Sequence, residues 1–103
     1  MNFFNQLFGG AAPAGLQQAI ADGAFLVDVR TSAEFAGGQV KGSVNIPLDQ
    51  LASNLVKFKN KKNTVVFCQS GGRSRQAKLI LEQNGLTNII DGGSWSQVNQ
   101  LVK

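Results

Sequence analysis

The sequence "TVVFCQSGGRS" (residues 64–74) runs from a short apolar segment into a glycine-rich loop that ends in an arginine and a serine. It contains Cys68, the only cysteine in a chain of 103 residues that has no histidine. The uninterrupted apolar segment predicts a strand buried on both faces. The residues that follow, "SRQAKLILEQNG" (74–85), predict a helix closed by Asn84 and Gly85. The loop therefore lies at the carboxyl end of a strand, where open α/β sheets bind ligands.

The same alternation of strand and helix continues on both sides of this unit. "AFLVDV" is an apolar run broken only by Asp28, and Thr31 or Ser32 is the expected N-cap of the helix after it. Residues 48–58 carry their apolar side chains on one stripe, which predicts an amphipathic helix. The predicted strands are residues 24–29, 42–47, 64–68 and 87–91. The predicted helices are residues 16–23, 31–38, 48–58, 74–85 and 94–102. This order predicts a parallel sheet with helices on both faces.

The composition restricts the compartment and the kinds of site. A single cysteine excludes an internal disulfide and fits a reducing compartment, so we expect a cytoplasmic protein. One cysteine without any histidine argues against a zinc site, and we expect no metal and no cofactor.

The basic charge of the chain, +4 at pH 7, raises the question of nucleic-acid binding. Much of the excess lies in "KFKNKK" (57–62), a run between two apolar segments that is typical of a solvated turn. An RNA-binding surface would interleave aromatic and basic residues, and this run has only Phe58. We therefore expect no nucleic-acid partner and a mild attraction for anionic substrates.

The N-terminus, "MNFFNQLFGG" (1–10), is separated from the rest by the linker-like "GGAAPAG" (9–15). Its apolar residues recur at helical spacing: Phe3, Phe4, Leu7 and Phe8. We expect a short amphipathic segment at 1–10, laid on the surface or docked to a membrane or partner, and a single domain at 11–103. No stretch has the apolar length of a transmembrane span or the pattern of a secretory signal.

The loop after the strand combines three features that stabilise an anion. Gly71 and Gly72 permit backbone conformations closed to other residues, so that several N–H groups point to one centre. The helix that follows begins with a partial positive charge, and Arg73 adds a full one. We therefore expect the pKa of Cys68 to lie below the free value of about 8.5, which makes it a nucleophile without a general base. As a buried apolar residue, Cys68 would leave the glycines and the arginine unexplained.

Several motifs in the chain, in this order, resemble those of one family. The loop, with four residues between Cys68 and Arg73, is similar to the active-site loop of single-domain rhodaneses. "FLVDVRTSAEFAGGQVKGSVNIPL" (25–48) resembles the Asp-Val-Arg, Glu-Phe and Asn-Ile-Pro motifs of that family, and "DGGSW" (91–95) resembles its closing Gly-Gly and Trp. The resemblance covers residues 16–102.

The resemblance implies a fold and also shows two departures from the family pattern. The fold is a central, mostly parallel β-sheet of about five short strands with helices on both faces. Gln39 stands where the family usually has histidine, and Ser43 where alanine is usual. These departures affect local hydrogen bonding and leave the nucleophile in place.

The activity implied by the resemblance is that of a thiosulfate sulfurtransferase. The thiolate of Cys68 would attack the outer sulfur of thiosulfate, release sulfite and become a persulfide. The persulfide would be held by the backbone N–H groups of the loop, which are those of Gln69, Ser70, Gly71, Gly72 and Arg73. A thiol or cyanide would then remove the sulfur in a ping-pong cycle. With no second cysteine, the persulfide has to be released to an acceptor outside the chain.

Other residues near these motifs have two possible roles each. Arg73 either binds the anionic group of the donor or forms a structural ion pair, with Glu34 as candidate partner. Arg30 and Glu34 are four residues apart and predict a local ion pair. Asp28 would be costly as an unpaired carboxylate in an apolar strand, so we expect it to accept loop N–H groups or to pair with an arginine. Phe35 either lines the mouth of the pocket or packs in the core.

The polar residues of the loop have less specific predictions. The side chains of Gln69 and Ser70 are free to meet the acceptor, so they are candidates for selectivity or are loop residues that face solvent. Ser74 is a supporting residue at the end of the loop, and Trp95 is expected in the core.

Two other classes of protein share part of this pattern. Phosphatases and arsenate reductases with a rhodanese-like fold carry five residues between the cysteine and the arginine. The shorter loop here is a narrower cradle, which suits one sulfur atom better than a tetrahedral oxyanion. The second class is a persulfide carrier or docking module in a sulfur relay, which would exchange sulfur with another protein.

Overall fold

The computed structural model describes residues 13–102, and within them four strands form one parallel sheet in the order β2-β1-β3-β4. The strands are β1 (Phe25–Asp28), β2 (Val44–Asn45), β3 (Thr64–Cys68) and β4 (Ile89–Ser94). The helices are α1 (Leu16–Ala21), α2 (Ser32–Ala36), α3 (Gly72–Gln83) and α4 (Trp95–Leu101).

The parallel α/β prediction is confirmed, with four strands in the described residues in place of about five. The predicted amphipathic segment at 1–10 lies outside those residues. No helix within 13–102 is long and apolar enough to cross a membrane.

Both faces of the sheet are covered by apolar clusters, and β3 contributes to each of them. Every residue of β3 is buried, as the sequence predicted for this strand. Because side chains alternate along a strand, Val66 and Cys68 belong to the cluster that includes Leu81 of α3. Val65 and Phe67 belong to the opposite cluster, which α1 and α4 cover. The helix after the loop therefore packs on the same face of the sheet as the thiol.

The prediction of an amphipathic α-helix at 48–58 is wrong. Two short 3₁₀ helices, Leu48–Ser53 and Leu55–Phe58, take its place. Asn54 separates them, because its side-chain amide donates to the Gln50 carbonyl at 2.8 Å and its backbone leaves the helical region at φ −126°. Asparagine competes in this way with helical hydrogen bonds. The apolar stripe still faces the core: Leu51 and Phe58 are buried, and Leu48 and Leu55 pack against the same cluster while partly buried.

Strand β4 extends further than the predicted 87–91 because it continues through Gly92 and Gly93. The register with β3 shifts there: Val66 pairs with Asp91, while Phe67 pairs with Gly93. Gly92 is therefore the extra residue of a β-bulge, which bends the strand end beside the cysteine-bearing loop.

We expect Gly92→Ala to lower the free energy of unfolding by about 1–3 kcal/mol, the usual cost of overpacking. A Cβ at this position would lie 2.9 Å from methyl groups of Val65 and Val98 and 3.3 Å from the carbonyl oxygen of Val66. Urea unfolding measures the loss. Gly37→Ala is the matched control, because a Cβ there would lie 3.5 Å from its nearest neighbour and the φ of −80° suits alanine. Equal losses in the two variants would contradict the role of the close contacts.

Candidate active site

The loop between β3 and α3 holds the thiol against backbone N–H groups. Gly71 is the N-cap of α3 in the left-handed region, with φ 109°, and its N–H donates to Cys68 Sγ at 3.0 Å. Cys68 is only 1% exposed. The prediction that the loop needs glycine for a backbone conformation closed to other residues is correct for Gly71. It is wrong for Gly72, which is the first helical residue and has no positive φ.

The pKa of Cys68 reflects two opposing effects. Burial, the largest single influence, raises the pKa of the thiol. Hydrogen bonds from the backbone N–H groups of Ser74, Gly71 and Ser70, together with the Ser74 hydroxyl, lower it. The hydrogen bonds prevail, so the pKa lies below its usual value, in the direction expected from the sequence. Cys68 thus packs in an apolar cluster and is also stabilised as a thiolate.

Arg73 at the end of the loop forms an ion pair with Glu34 of α2. Two guanidinium nitrogens donate to the two carboxylate oxygens, at 2.7 and 3.0 Å. These hydrogen bonds are the main cause that lowers the pKa of Glu34 to about 2, and the Thr31 N–H adds to the effect. Thr31 and Glu34 form a capping box at the start of α2, so Thr31 is the N-cap. Of the two roles left open for Arg73, the ion pair with Glu34 is the one that the structure shows.

The local ion pair predicted between Arg30 and Glu34 is wrong, because Arg30 turns inward to Asp28. The Arg30 guanidinium donates to both carboxylate oxygens of Asp28, with a shortest distance of 2.7 Å, and the Arg30 backbone N–H also donates to Asp28. Both side chains are buried, and Asp28 has both of its predicted kinds of partner, an arginine side chain and a backbone N–H. The guanidinium also donates to the Gly38 carbonyl at 2.7 Å and lies 4.6 Å from the centre of the Trp95 ring. This pair connects the end of β1 to the loop at Gly38 and to Trp95 of α4.

The remaining predicted site residues lie around the loop without fixed contacts to the sulfur from their side chains. Gln69 and Ser70 are exposed, as expected for residues that face solvent or an acceptor. Phe35 is half-buried and belongs to neither apolar cluster, so it does not pack in the core. Trp95 is partly buried and packs against the cluster beneath α4.

The sequence patterns did not lead to a prediction of Asp91 as a site residue. The hydroxyl of Ser74, which is fully buried, lies 2.6 Å from Asp91 Oδ1 and 3.0 Å from the Gly71 carbonyl oxygen. The Gly93 N–H donates to the same carboxylate oxygen at 3.0 Å. Asp91 therefore joins the bulge of β4 to the first turn of α3. The available signal was an acidic residue inside an apolar strand, directly before Gly-Gly.

Known proteins are similar to this chain in sequence and in fold. The chain matches the family model of the rhodanese-like domain over residues 12–98. The uncharacterized protein YqhL of Bacillus subtilis is 41% identical over 66 residues, 64% of this chain and 52% of YqhL, so the chain spans about half of that relative. The thiosulfate sulfurtransferase PspE of Escherichia coli is 31% identical over 74 residues, 70% of this chain and 71% of PspE. The structure of the human single-domain sulfurtransferase TSTD1 has a TM-score of 0.66 at 31% identity, over 80% of this chain and 87% of that one. The chain belongs to the rhodanese-like domain family.

Proposed function

We propose that this protein is a sulfurtransferase that carries a sulfane sulfur on Cys68, from a donor such as thiosulfate to a thiol or cyanide. The observation that carries the proposal is the thiol at the start of α3, whose pKa is lowered by loop N–H groups. The relative PspE bears the name thiosulfate sulfurtransferase, which supports the same chemistry. The partners are then small sulfur compounds in the cytoplasm, and a sulfur-relay protein is the alternative partner.

The reaction proceeds in two displacements at sulfur. The Cys68 thiolate attacks the outer sulfur of thiosulfate, a bond forms between the two sulfurs, and the sulfur–sulfur bond of thiosulfate breaks. Its electron pair leaves with sulfite, and Cys68 becomes a persulfide anion. An acceptor thiolate or cyanide then attacks the terminal sulfur, and the bond to Cys68 breaks to restore the thiolate. N–H groups that stabilise the first thiolate also stabilise the charge of the persulfide.

Access to the sulfur limits which donors can react. Because Cys68 is 1% exposed, a donor has to displace part of the loop to reach the sulfur, for example the exposed side chain of Gln69. Both oxygens of Glu34 already engage Arg73, so we assign Arg73 the role of closing the loop. A small anion with a terminal sulfur requires less displacement of the loop than a phosphorylated substrate.

Incubation with thiosulfate is expected to add the mass of one sulfur atom to the intact protein. Cyanide should remove the added mass and yield thiocyanate, because a persulfide is the only intermediate of the two displacements. Protein alkylated beforehand with iodoacetamide is the control and should gain no sulfur. If the thiol alkylates readily but no sulfur is added from thiosulfate or from a persulfide donor, the proposed function is wrong.

A further inference from the structure

The buried hydroxyl of Ser74 faces more acceptors than it has protons. A hydroxyl donates one hydrogen bond, and both neighbours at hydrogen-bond distance are acceptors: Asp91 Oδ1 at 2.6 Å and the Gly71 carbonyl oxygen at 3.0 Å. The same hydroxyl is also the smallest of the influences that lower the pKa of Cys68, although its hydrogen bonds within 3.0 Å go to the two oxygens. The carboxylate, the carbonyl and the thiolate therefore compete for a single proton.

The geometry favours the carboxylate in this competition. An O–H···O⁻ hydrogen bond of 2.6 Å has the short length of charge-assisted bonds, which are about twice as strong as neutral ones. Asp91 Oδ1 is held in place by the Gly93 N–H at 3.0 Å. Ser74 is fully buried, so no solvent replaces either partner at its hydroxyl.

We infer that Asp91 is a positioning residue for sulfur transfer: it takes the larger share of the Ser74 proton and thereby weakens the donation of that hydroxyl to the Cys68 sulfur. The sulfur is then stabilised mainly by backbone N–H groups. A thiolate that accepts fewer hydrogen bonds is more basic and more nucleophilic. Asp91 thus limits how far the loop lowers the reactivity of its own nucleophile.

The other charged groups discussed near the thiol, Arg73 and Asp28, already form ion pairs. Arg73, in the first turn of α3, has a raised pKa, first through its hydrogen bonds to Glu34 and also through the charges of Cys68 and Asp28. Asp28 itself is paired with Arg30 on β1. Among these groups, the Asp91 carboxylate is the one that shares a hydroxyl with the sulfur, so its replacement tests the competition for the proton directly.

The test measures the rate of Cys68 alkylation by iodoacetamide as a function of pH in four proteins: wild type, Asp91→Asn, Ser74→Ala and the double variant. An asparagine retains an oxygen for the Gly93 N–H but is a neutral acceptor, so the Ser74 proton moves to the thiolate. We expect the alkylation pKa to fall in Asp91→Asn. The limiting rate at high pH should fall about threefold and the rate at low pH should rise about threefold, because nucleophilicity decreases with basicity.

The Ser74→Ala variants separate the shared proton from the charge of Asp91. Loss of the hydroxyl should raise the thiol pKa only slightly in the wild-type background, where Asp91 holds the proton, and markedly in the Asp91→Asn background. A marked rise in the Ser74→Ala single variant would overturn the inference even if Asp91→Asn failed to fold. A raised pKa in folded Asp91→Asn would also overturn it, since that result indicates a loosened loop.

The inference rests on the proposed function for its importance, because a more reactive thiolate matters only if Cys68 is the nucleophile. Its test does not involve sulfur transfer, so the inference and the proposed function can fail separately. A protein that alkylates as expected but takes no sulfur from thiosulfate would retain the Asp91–Ser74 relation and lose the proposed activity.

Discussion

Cys68→Ser is expected to reduce sulfur transfer from thiosulfate to cyanide to the rate of the uncatalysed reaction. A serine hydroxyl at this position cannot carry a sulfane sulfur, and the chain has no other cysteine. The Gly71 N–H, which donates to the sulfur at 3.0 Å, can donate to a serine oxygen instead, so the fold should be retained. Thiocyanate formation measures the activity, and circular dichroism with urea unfolding verifies the fold.

A second cysteine placed outside the loop is the matched control for Cys68→Ser. Ser53 is exposed at the end of the first 3₁₀ helix, so Cys68→Ser/Ser53→Cys carries a thiol that no loop N–H group stabilises. We expect this double variant to be as inactive as Cys68→Ser. Activity within a few-fold of wild type in either variant would show that the cradle at the start of α3 is not the site. Hydrolysis of an aryl phosphate by wild type, lost in Cys68→Ser, would instead favour the phosphatase class.

Arg30→Met is expected to lower the free energy of unfolding by about 3–5 kcal/mol, the usual cost of breaking a buried ion pair by removing one partner. The Asp28 carboxylate is fully buried and would keep only the backbone N–H of residue 30 as a donor from that position. The methionine also loses the hydrogen bond to the Gly38 carbonyl and the contact with the Trp95 ring. Urea unfolding at neutral pH measures the loss.

The exposed pair of Lys78 and Glu82 is the control for burial. Its nitrogen–oxygen distance is also 2.7 Å, but its side chains are 35% and 44% exposed, against 3% and 0% for Arg30 and Asp28. Lys78→Met should therefore cost about 0–1 kcal/mol. Similar losses in Arg30→Met and Lys78→Met would mean that the buried pair contributes no more than a surface pair.

Patterns that depend on neighbours in the chain were well predicted. The apolar run of β3, its all-buried character and the helix after the loop followed from local hydrophobicity and the closing Asn84 and Gly85. The loop's tendency to stabilise an anion followed from glycine, a helix start and the hydrogen-bonding backbone, and the lowered pKa of Cys68 agrees with it. The exception among local patterns was 48–58, where one asparagine side chain was enough to interrupt the helix.

The alternation of strands and helices, the parallel sheet and the position of the only thiol after β3 could all be predicted from the amino-acid sequence. The packed structure was needed to choose among the candidate partners of the charged residues: Arg30 binds Asp28 and leaves Glu34 to Arg73, which is 39 residues away. It also brought Asp91 of β4 to Ser74 of α3. The physical reason is that hydrophobic periodicity is set by near neighbours, whereas an ion pair or a shared proton depends on which elements the packed sheet brings within about 3 Å.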